Sequence, residues 1–190
     1  MARHGPDLVP EPNRIDHVRG SLDAPVVITE FGDFECPYCG DAYDVIEAIR
    51  KKYGSRVAHV FRHFPLPMHL HALAAAEAAE AAGSEGKFWE MYDQLYRHQA
   101  DLQNPDLRAY AEAIGGDGEN VAGAIERGTY QERIARDQHS GEESGIQGTP
   151  SFFINGFSYD GAASVEALSQ AIDRVLTAAE SGNGAKRVPT

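Results

Sequence analysis

The spacing of apolar and polar positions changes several times along the chain, and each change marks an element. Val26, Val27, Ile28 and Phe31 form a short β-branched run, the pattern of a strand buried in a sheet. Residues 32–35 break it. From residue 36 to 53, Ala42, Ile46, Ile49 and Tyr53 recur at three- and four-residue spacing, which predicts an amphipathic helix. Pro37 suits its first position, Lys51 and Lys52 its last turn, and Gly54 its close. A further buried strand is predicted over 56–61, and a shorter one over 15–19.

A long helical stretch follows, over roughly residues 68–144. It begins with an alanine-rich run (70–82) that ends at Gly83. Phe88, Trp89, Tyr92, Leu95 and Tyr96 share one broad face, which reads as core packing. Asn104 and Pro105 supply a cap and first position for a helix carrying Leu107, Tyr110, Ala111 and Ile114. Val121 and Ile125 mark another short helix, and Thr129 with Glu132 forms a capping box for the last one. Strand signals return over 149–154. Asn155-Gly156 is the two-residue type I′ turn leading to a return strand at 157–159. Val165, Leu168, Ile172, Val175 and Leu176 then lie on one face of a final helix. The predicted order is β-β-α-β, a block of helices, then β-β-α.

Composition narrows the class without naming an activity. Of 190 residues, 42% are hydrophobic and 24% charged, as in an ordinary globular protein. The net charge of −12 argues against a nucleic-acid or anionic-membrane partner. Residues 1–14 contain Pro6, Pro10 and Pro12 without periodicity and are expected to be a mobile arm; the polar residues 181–190 are expected to be a flexible tail. Residues 1–20 hold no apolar stretch long enough for a signal peptide, and no segment is long enough to span a bilayer. A cytoplasmic protein without membrane insertion is therefore expected. Oligomeric state is left open.

The candidate chemistry lies in Cys36-Pro37-Tyr38-Cys39, which contains both cysteines of the chain. Cys36 falls at a predicted helix N-terminus, where free N–H groups and the macrodipole stabilise an anion. A thiolate there attacks disulfides, and Cys39, almost one turn further, is placed to resolve the mixed disulfide. Two inert buried thiols, or half of a zinc site, are the alternatives. His59, His63, His69 and His71 lack clear paired ligand spacing. They are expected at the surface or core edge, with no metal site, and His69 and His71 are expected to diverge on a helix.

The residues Glu30-Phe31, Cys36 to Cys39, His63-Phe64-Pro65-Leu66, and the run from Gly148 to Gly156 together resemble the DsbA-like branch of the thioredoxin-fold oxidoreductases. That resemblance implies an α/β thioredoxin fold, residues 15–66 and 146–180, with a helical subdomain (67–145) inserted between the third and fourth strands. It implies a cis Thr149–Pro150 bond against the dithiol, with Pro37, Tyr38, Thr149 and Pro150 as substrate-contact residues. Glu30 matches the buried acid beneath the dithiol and is expected to relay the Cys39 proton, with a partly exposed strand end as the alternative. The activity implied is disulfide exchange with protein thiols, plus a redox recycling partner. No organic or metal cofactor is needed, because the dithiol carries two electrons.

The chain departs from the best-known oxidant of that branch by having Tyr38, not a histidine, between the cysteines. Asp33, Glu35 and Asp41 add negative charge nearby. The Cys36 pKa is therefore expected in the upper half of the range of about 3.5 to 7.5 found for reactive dithiols, which makes a milder oxidant. A glutathione-dependent, glutaredoxin-like reductase and a non-catalytic peptide-binding or chaperone module are the alternative functions.

Overall fold

The computed structural model describes residues 7–180. Two parallel strands, β2 (Val26–Gly32) and β3 (Val57–His63), form its centre, joined by α1 (Pro37–Tyr53) and a 3-10 turn. Strand β1 (His17–Arg19) pairs antiparallel with β3. On the other side β4 (Ser151–Ile154) runs antiparallel to β2 and turns into β5 (Phe157–Tyr159). The sheet order is β1-β3-β2-β4-β5. Both central strands are buried almost throughout, so that Glu30, His59, Arg62 and His63 lie inside among the apolar residues.

The hairpin turn forms as the sequence predicts. Asn155 and Gly156 have φ of 49° and 81°, the left-handed pair of a type I′ turn. Asn155 also exchanges hydrogen bonds with β2, its N–H donating to Val27 O and its Oδ1 accepting from Val27 N. On one face of the sheet Ile46 and Ile49 of α1 meet Val26, Ile28 and Ile154, together with Leu168 and Ile172 of α7 (Val165–Glu180). Each such fully buried aliphatic side chain contributes about 1.5–3 kcal/mol relative to exposure. Val165, predicted to share the apolar face of α7, is instead partly exposed at its first turn.

Between β3 and β4 lie five helices: α2 (Ala72–Ser84), α3 (Phe88–Arg97), α4 (Asn104–Ala113), α5 (Gly118–Arg127) and α6 (Gln131–Glu143). Alanines let α2 approach closely, so that nine of its residues are buried. The aromatic face of α3 is core, as expected: Phe88, Tyr92, Leu95 and Tyr96 are buried. Two cap assignments shift. The N-cap of α4 is Gln103, whose N–H donates to Asp106, and α6 begins after Tyr130 without the Thr129 capping box. The Tyr130 N–H donates instead to the Glu77 carboxylate.

The mobile-arm expectation does not hold for residues 7–14. Leu8 is buried against Phe31, Phe64 and Phe153. The N–H groups of Asp7 and Leu8 donate to Gly156 O, and Arg62, itself buried, donates to Pro10 O and to both oxygens of Asp16. Leu8 covers apolar surface on the second face of the sheet, and proline content gave no sign of that. The rest of the expected arm, residues 1–6, and the expected tail, 181–190, lie outside the described residues.

Candidate active site

Cys36 is the N-cap of α1, with extended φ and ψ (−73°, 119°), and Pro37 opens the helix. Its carbonyl accepts from the N–H groups of Cys39 and Gly40. Both cysteines are free thiols, 3% and 0% exposed. The Cys36 Sγ lies 3.4 Å from Thr149 O, and the Thr149–Pro150 bond is cis. Pro37 and Tyr38, which is 73% exposed, adjoin Cys36 in sequence. The cis-proline loop thus lies against the dithiol.

The two thiols are driven apart. Cys36 is lowered to about 5, first by the hydrogen bond from the Cys39 thiol, which together with Thr149 and the N–H groups of Cys39 and Tyr38 outweighs burial. Cys39 is pushed far up by its own burial, then by its bond to Cys36 and the negative charge of Glu30. The value for Cys36 falls just below the upper half of the expected range. The Cys39 thiol is the first cause of that lower value, and the Asp33 and Glu35 carboxylates, expected to oppose it, are each bound to a histidine.

Beneath the dithiol, Glu30 is fully buried, so the exposed strand-end alternative fails. One of its oxygens lies 2.8 Å from His59 Nε2 and accepts from the Tyr92 hydroxyl at 3.3 Å. His59 faces it because β3 aligns parallel to β2, with Ile28 opposite His59. His63, also on β3, pairs with Glu80 of α2 at 2.8 Å. Neither histidine is at the surface or core edge: β3 is interior to the sheet, and each ring is held by a buried carboxylate. Glu80 also receives His17 at 2.7 Å, and the three ligand atoms of His17, His63 and Glu80 converge within 4.8 Å. Arg133 Nε sits 3.4 Å from the same Glu80 oxygen, so a cation already offsets that carboxylate.

The rim of the site was largely invisible to sequence reasoning. Gln99, just after α3, donates through Nε2 to the carbonyls of Phe34 and Cys36 at 2.8 and 2.9 Å. Asp33 accepts from the N–H groups of Glu35 and Leu66 and binds His69 Nδ1 at 2.7 Å. Glu35 binds His71 through both its N–H and its ring Nδ1. His69 and His71 therefore do not diverge on a helix. They lie ahead of α2, in the turn that follows β3, and both address the turn before Cys36. The same turn exposes Met68 and Leu70, 76% and 87% accessible.

A dithiol at a helix start, facing a cis-proline loop, on this sheet with helices inserted after the third strand, is the arrangement of the DsbA-like thiol–disulfide oxidoreductases. A family model described as Thioredoxin matches residues 13–174, and the chain belongs to that family. Among solved structures it is similar to oxidised BdbD from Bacillus subtilis, with a TM-score of 0.78, 24% identity, and coverage of 85% of this chain and 93% of that one. It is also similar to a thioredoxin-like oxidoreductase from Silicibacter pomeroyi, with a TM-score of 0.77, 25% identity, and coverage of 87% and 94%. Among curated sequences it is 44% identical over 167 residues to Na(+)/H(+) antiporter NhaA 1 of Salinispora arenicola, covering 87% of this chain and 25% of the relative. The chain thus spans about a quarter of the length of that relative.

The expectation of a cytoplasmic protein is corrected by these likenesses. One structural neighbour, with a TM-score of 0.70, 20% identity, and coverage of 85% and 90%, is a periplasmic thioredoxin-like protein from Salmonella enterica serovar Typhimurium. The curated relatives are antiporters. The polar character of residues 1–20 carries no information about compartment. Among the described residues, no helix is long and apolar enough to cross a membrane.

Proposed function

We propose that the chain exchanges disulfides with protein substrates through Cys36 and Cys39, as an oxidant milder than the strongest of its class. The observation that carries this reading is the opposite tuning of the two thiols, Cys36 lowered to about 5 and Cys39 raised. A value of about 5 lies between about 3.5 for the most oxidising dithiols and about 7 for reducing thioredoxins. A stabilised Cys36 thiolate favours the reduced protein, and so favours passing the disulfide on.

The exchange runs in two displacements. A substrate thiolate attacks the Cys36 sulfur of the oxidised pair, forming a mixed disulfide and releasing Cys39 as a thiolate that takes up a proton. A second substrate thiolate then attacks its own half of the mixed disulfide and releases Cys36 as a thiolate. The substrate gains a disulfide and the protein gains the two electrons. Glu30, beneath Cys39, carries the proton to and from that sulfur. Thr149 and Pro150 pair with an extended substrate segment, and Tyr38, Met68 and Leu70 offer it apolar contact. No further cofactor takes part.

The test uses oxidised protein and a reduced peptide dithiol. One equivalent of peptide disulfide per protein is expected, and none from Cys36→Ser. Cys39→Ala, mixed instead with a disulfide-linked peptide dimer, is expected to displace one peptide thiol and keep the other peptide as a persistent mixed disulfide on Cys36. Peptide binding without exchange in the wild-type protein would favour a non-catalytic module. The antiporter relatives favour a second reading, in which the substrate or recycling partner is a membrane transporter. Mixed disulfides trapped by Cys39→Ala in membranes, compared with soluble fractions, decide it.

A further inference from the structure

Asp33 and Glu35 occupy the turn between β2 and Cys36, and Asp33 O itself accepts the Cys36 N–H at 3.1 Å. Two carboxylates this near disfavour a thiolate, and Tyr38 brings no positive charge to oppose them. The structure supplies the compensation from elsewhere in the sequence. The turn before α2 is clamped onto the acidic turn by four contacts: Leu66 N and His69 Nδ1 on Asp33, His71 N and His71 Nδ1 on Glu35. Asp33 is fully enclosed while the His69 ring is largely covered, so this ion pair is less screened than a surface one. Phe64 and Leu66 anchor the same turn in the core of the second sheet face.

We propose that His69 is a positioning residue for the thiol chemistry, whose imidazolium cancels the Asp33 charge beside Cys36 and so maintains the thiolate; this rests on the disulfide exchange inferred above. The groups facing His69 support it. Burial of the ring opposes its charged form, but Asp33, then Cys36 and Glu35, outweigh burial and raise it above its ordinary value. Glu35 is held below the usual carboxylate range, because the His71 ring and N–H bonds outweigh its burial. Cys39 meets Cys36 directly through its thiol, and Glu30 acts on Cys39. Neither belongs to the clamp. Protonated His69 and ionised Cys36 are therefore mutually stabilising.

The experiment compares His69→Gln and the double variant Asp33→Asn/His69→Gln with the wild-type protein, with melting curves to establish folding and His69→Asn as a second single variant. The readouts are the Cys36 thiolate absorbance against pH and the equilibrium with glutathione. His69→Gln is expected to lower the thiolate population at pH 5 by roughly three- to tenfold, with the glutathione equilibrium moving toward the oxidised protein by a similar factor. The double variant, which has lost the acid along with its neutraliser, is expected to return to within about twofold of wild type. Either of two results overturns the inference alone: a wild-type midpoint in both single variants, or a double variant as displaced as the single. A wild-type Cys36 that titrates as an ordinary thiol overturns the exchange reading itself, and this inference with it.

Discussion

The most informative perturbation of this site is pH, because the ionisation of Cys36 sets its reactivity in two opposing ways. With a Cys36 value of about 5 against about 8.5 for free cysteine, Cys36 is about 99% ionised at pH 7 and free cysteine about 3%. That is a roughly 30-fold advantage in thiolate. The less basic sulfur is also the weaker nucleophile: a Brønsted slope of about 0.4–0.5 over this difference costs about 40-fold per thiolate. The two effects nearly cancel at pH 7. At pH 5 Cys36 is about half ionised and free cysteine about 0.03%, so the thiolate advantage is about 1,600-fold and the net advantage about 40-fold.

The assay is stopped-flow reaction of the reduced protein with a small aromatic disulfide, beside free cysteine, from pH 4 to pH 8. Cys36 is only 3% exposed, so access slows it at every pH. That factor and the Brønsted factor both divide out of the quotient between pH 5 and pH 7. The ratio of the two rates is expected to fall about 50-fold over that interval, and the protein rate to be flat above about pH 6.5. A protein rate that still climbs tenfold per pH unit between 7 and 8 would refute the claim that the helix start and the Cys39 thiol hold Cys36 ionised. Cys39 contributes no signal, since it is buried and its own thiol is pushed up.

Redox-dependent stability follows from the same shifts. The Cys36 value is depressed on folding, so its contribution to the reduced form is complete above the unfolded value near 8.5 and is lost as pH falls toward 5. The raised Cys39 value acts only above about 8.5, so calorimetry between pH 5 and 8 is expected to show the reduced protein gaining melting temperature over the oxidised one as pH rises; a constant gap would contradict this. Glu30→Gln is expected to slow formation of the mixed disulfide from the oxidised protein in single-turnover quenches by about 10- to 100-fold, with peptide binding unchanged. Glu80→Gln is expected to cost about 2–4 kcal/mol in chemical denaturation at pH 7, because it leaves His17, His63 and Arg133 around a neutral amide; a loss below about 0.5 kcal/mol would show the cluster to be dispensable.

What the sequence disclosed was local. The β-branched run before Cys36, the change to helical spacing after it and the Asn-Gly turn all declare themselves within a few residues. What stayed hidden depends on register and on turns. His59 meets Glu30 only because β3 pairs in parallel with β2 at one particular offset, and nothing near His59 specifies that offset. His69 and His71, two residues apart, diverge if assigned to a helix. They converge on Asp33 and Glu35 because α2 begins after them, at Ala72. Gln99 lies in a polar stretch with no period at all, yet it ties two carbonyls of the dithiol turn to the end of α3. A better clue existed for the N-terminal segment, where Leu8 is an isolated apolar residue among prolines and charges. Its contact with Phe31 and Phe153 could still not have been located from spacing.

The inserted helices complete the dithiol as well as covering it. Both cysteines belong to one apolar cluster with Tyr43, Tyr92, Leu95 and Tyr96, three of them contributed by α3. Burial of Cys39 by this cluster keeps it protonated, and the protonated Cys39 thiol is the largest influence holding Cys36 down. The Cys36 thiolate therefore depends on packing in α3, and two changes at Tyr96 separate the causes. The Tyr96 hydroxyl is buried with no hydrogen-bond partner among the described residues, so Tyr96→Phe is expected to leave the Cys36 midpoint in place and stability unchanged or slightly higher. Tyr96→Ala opens a cavity at a cost of about 3–5 kcal/mol. If it admits water to Cys39, the Cys39 thiol becomes a poorer donor to Cys36, and the Cys36 thiolate midpoint rises while that of Tyr96→Phe does not. Equal midpoints in the two variants, both folded, would mean that the helix N-terminus alone sustains the thiolate and that the insertion serves only as a cover.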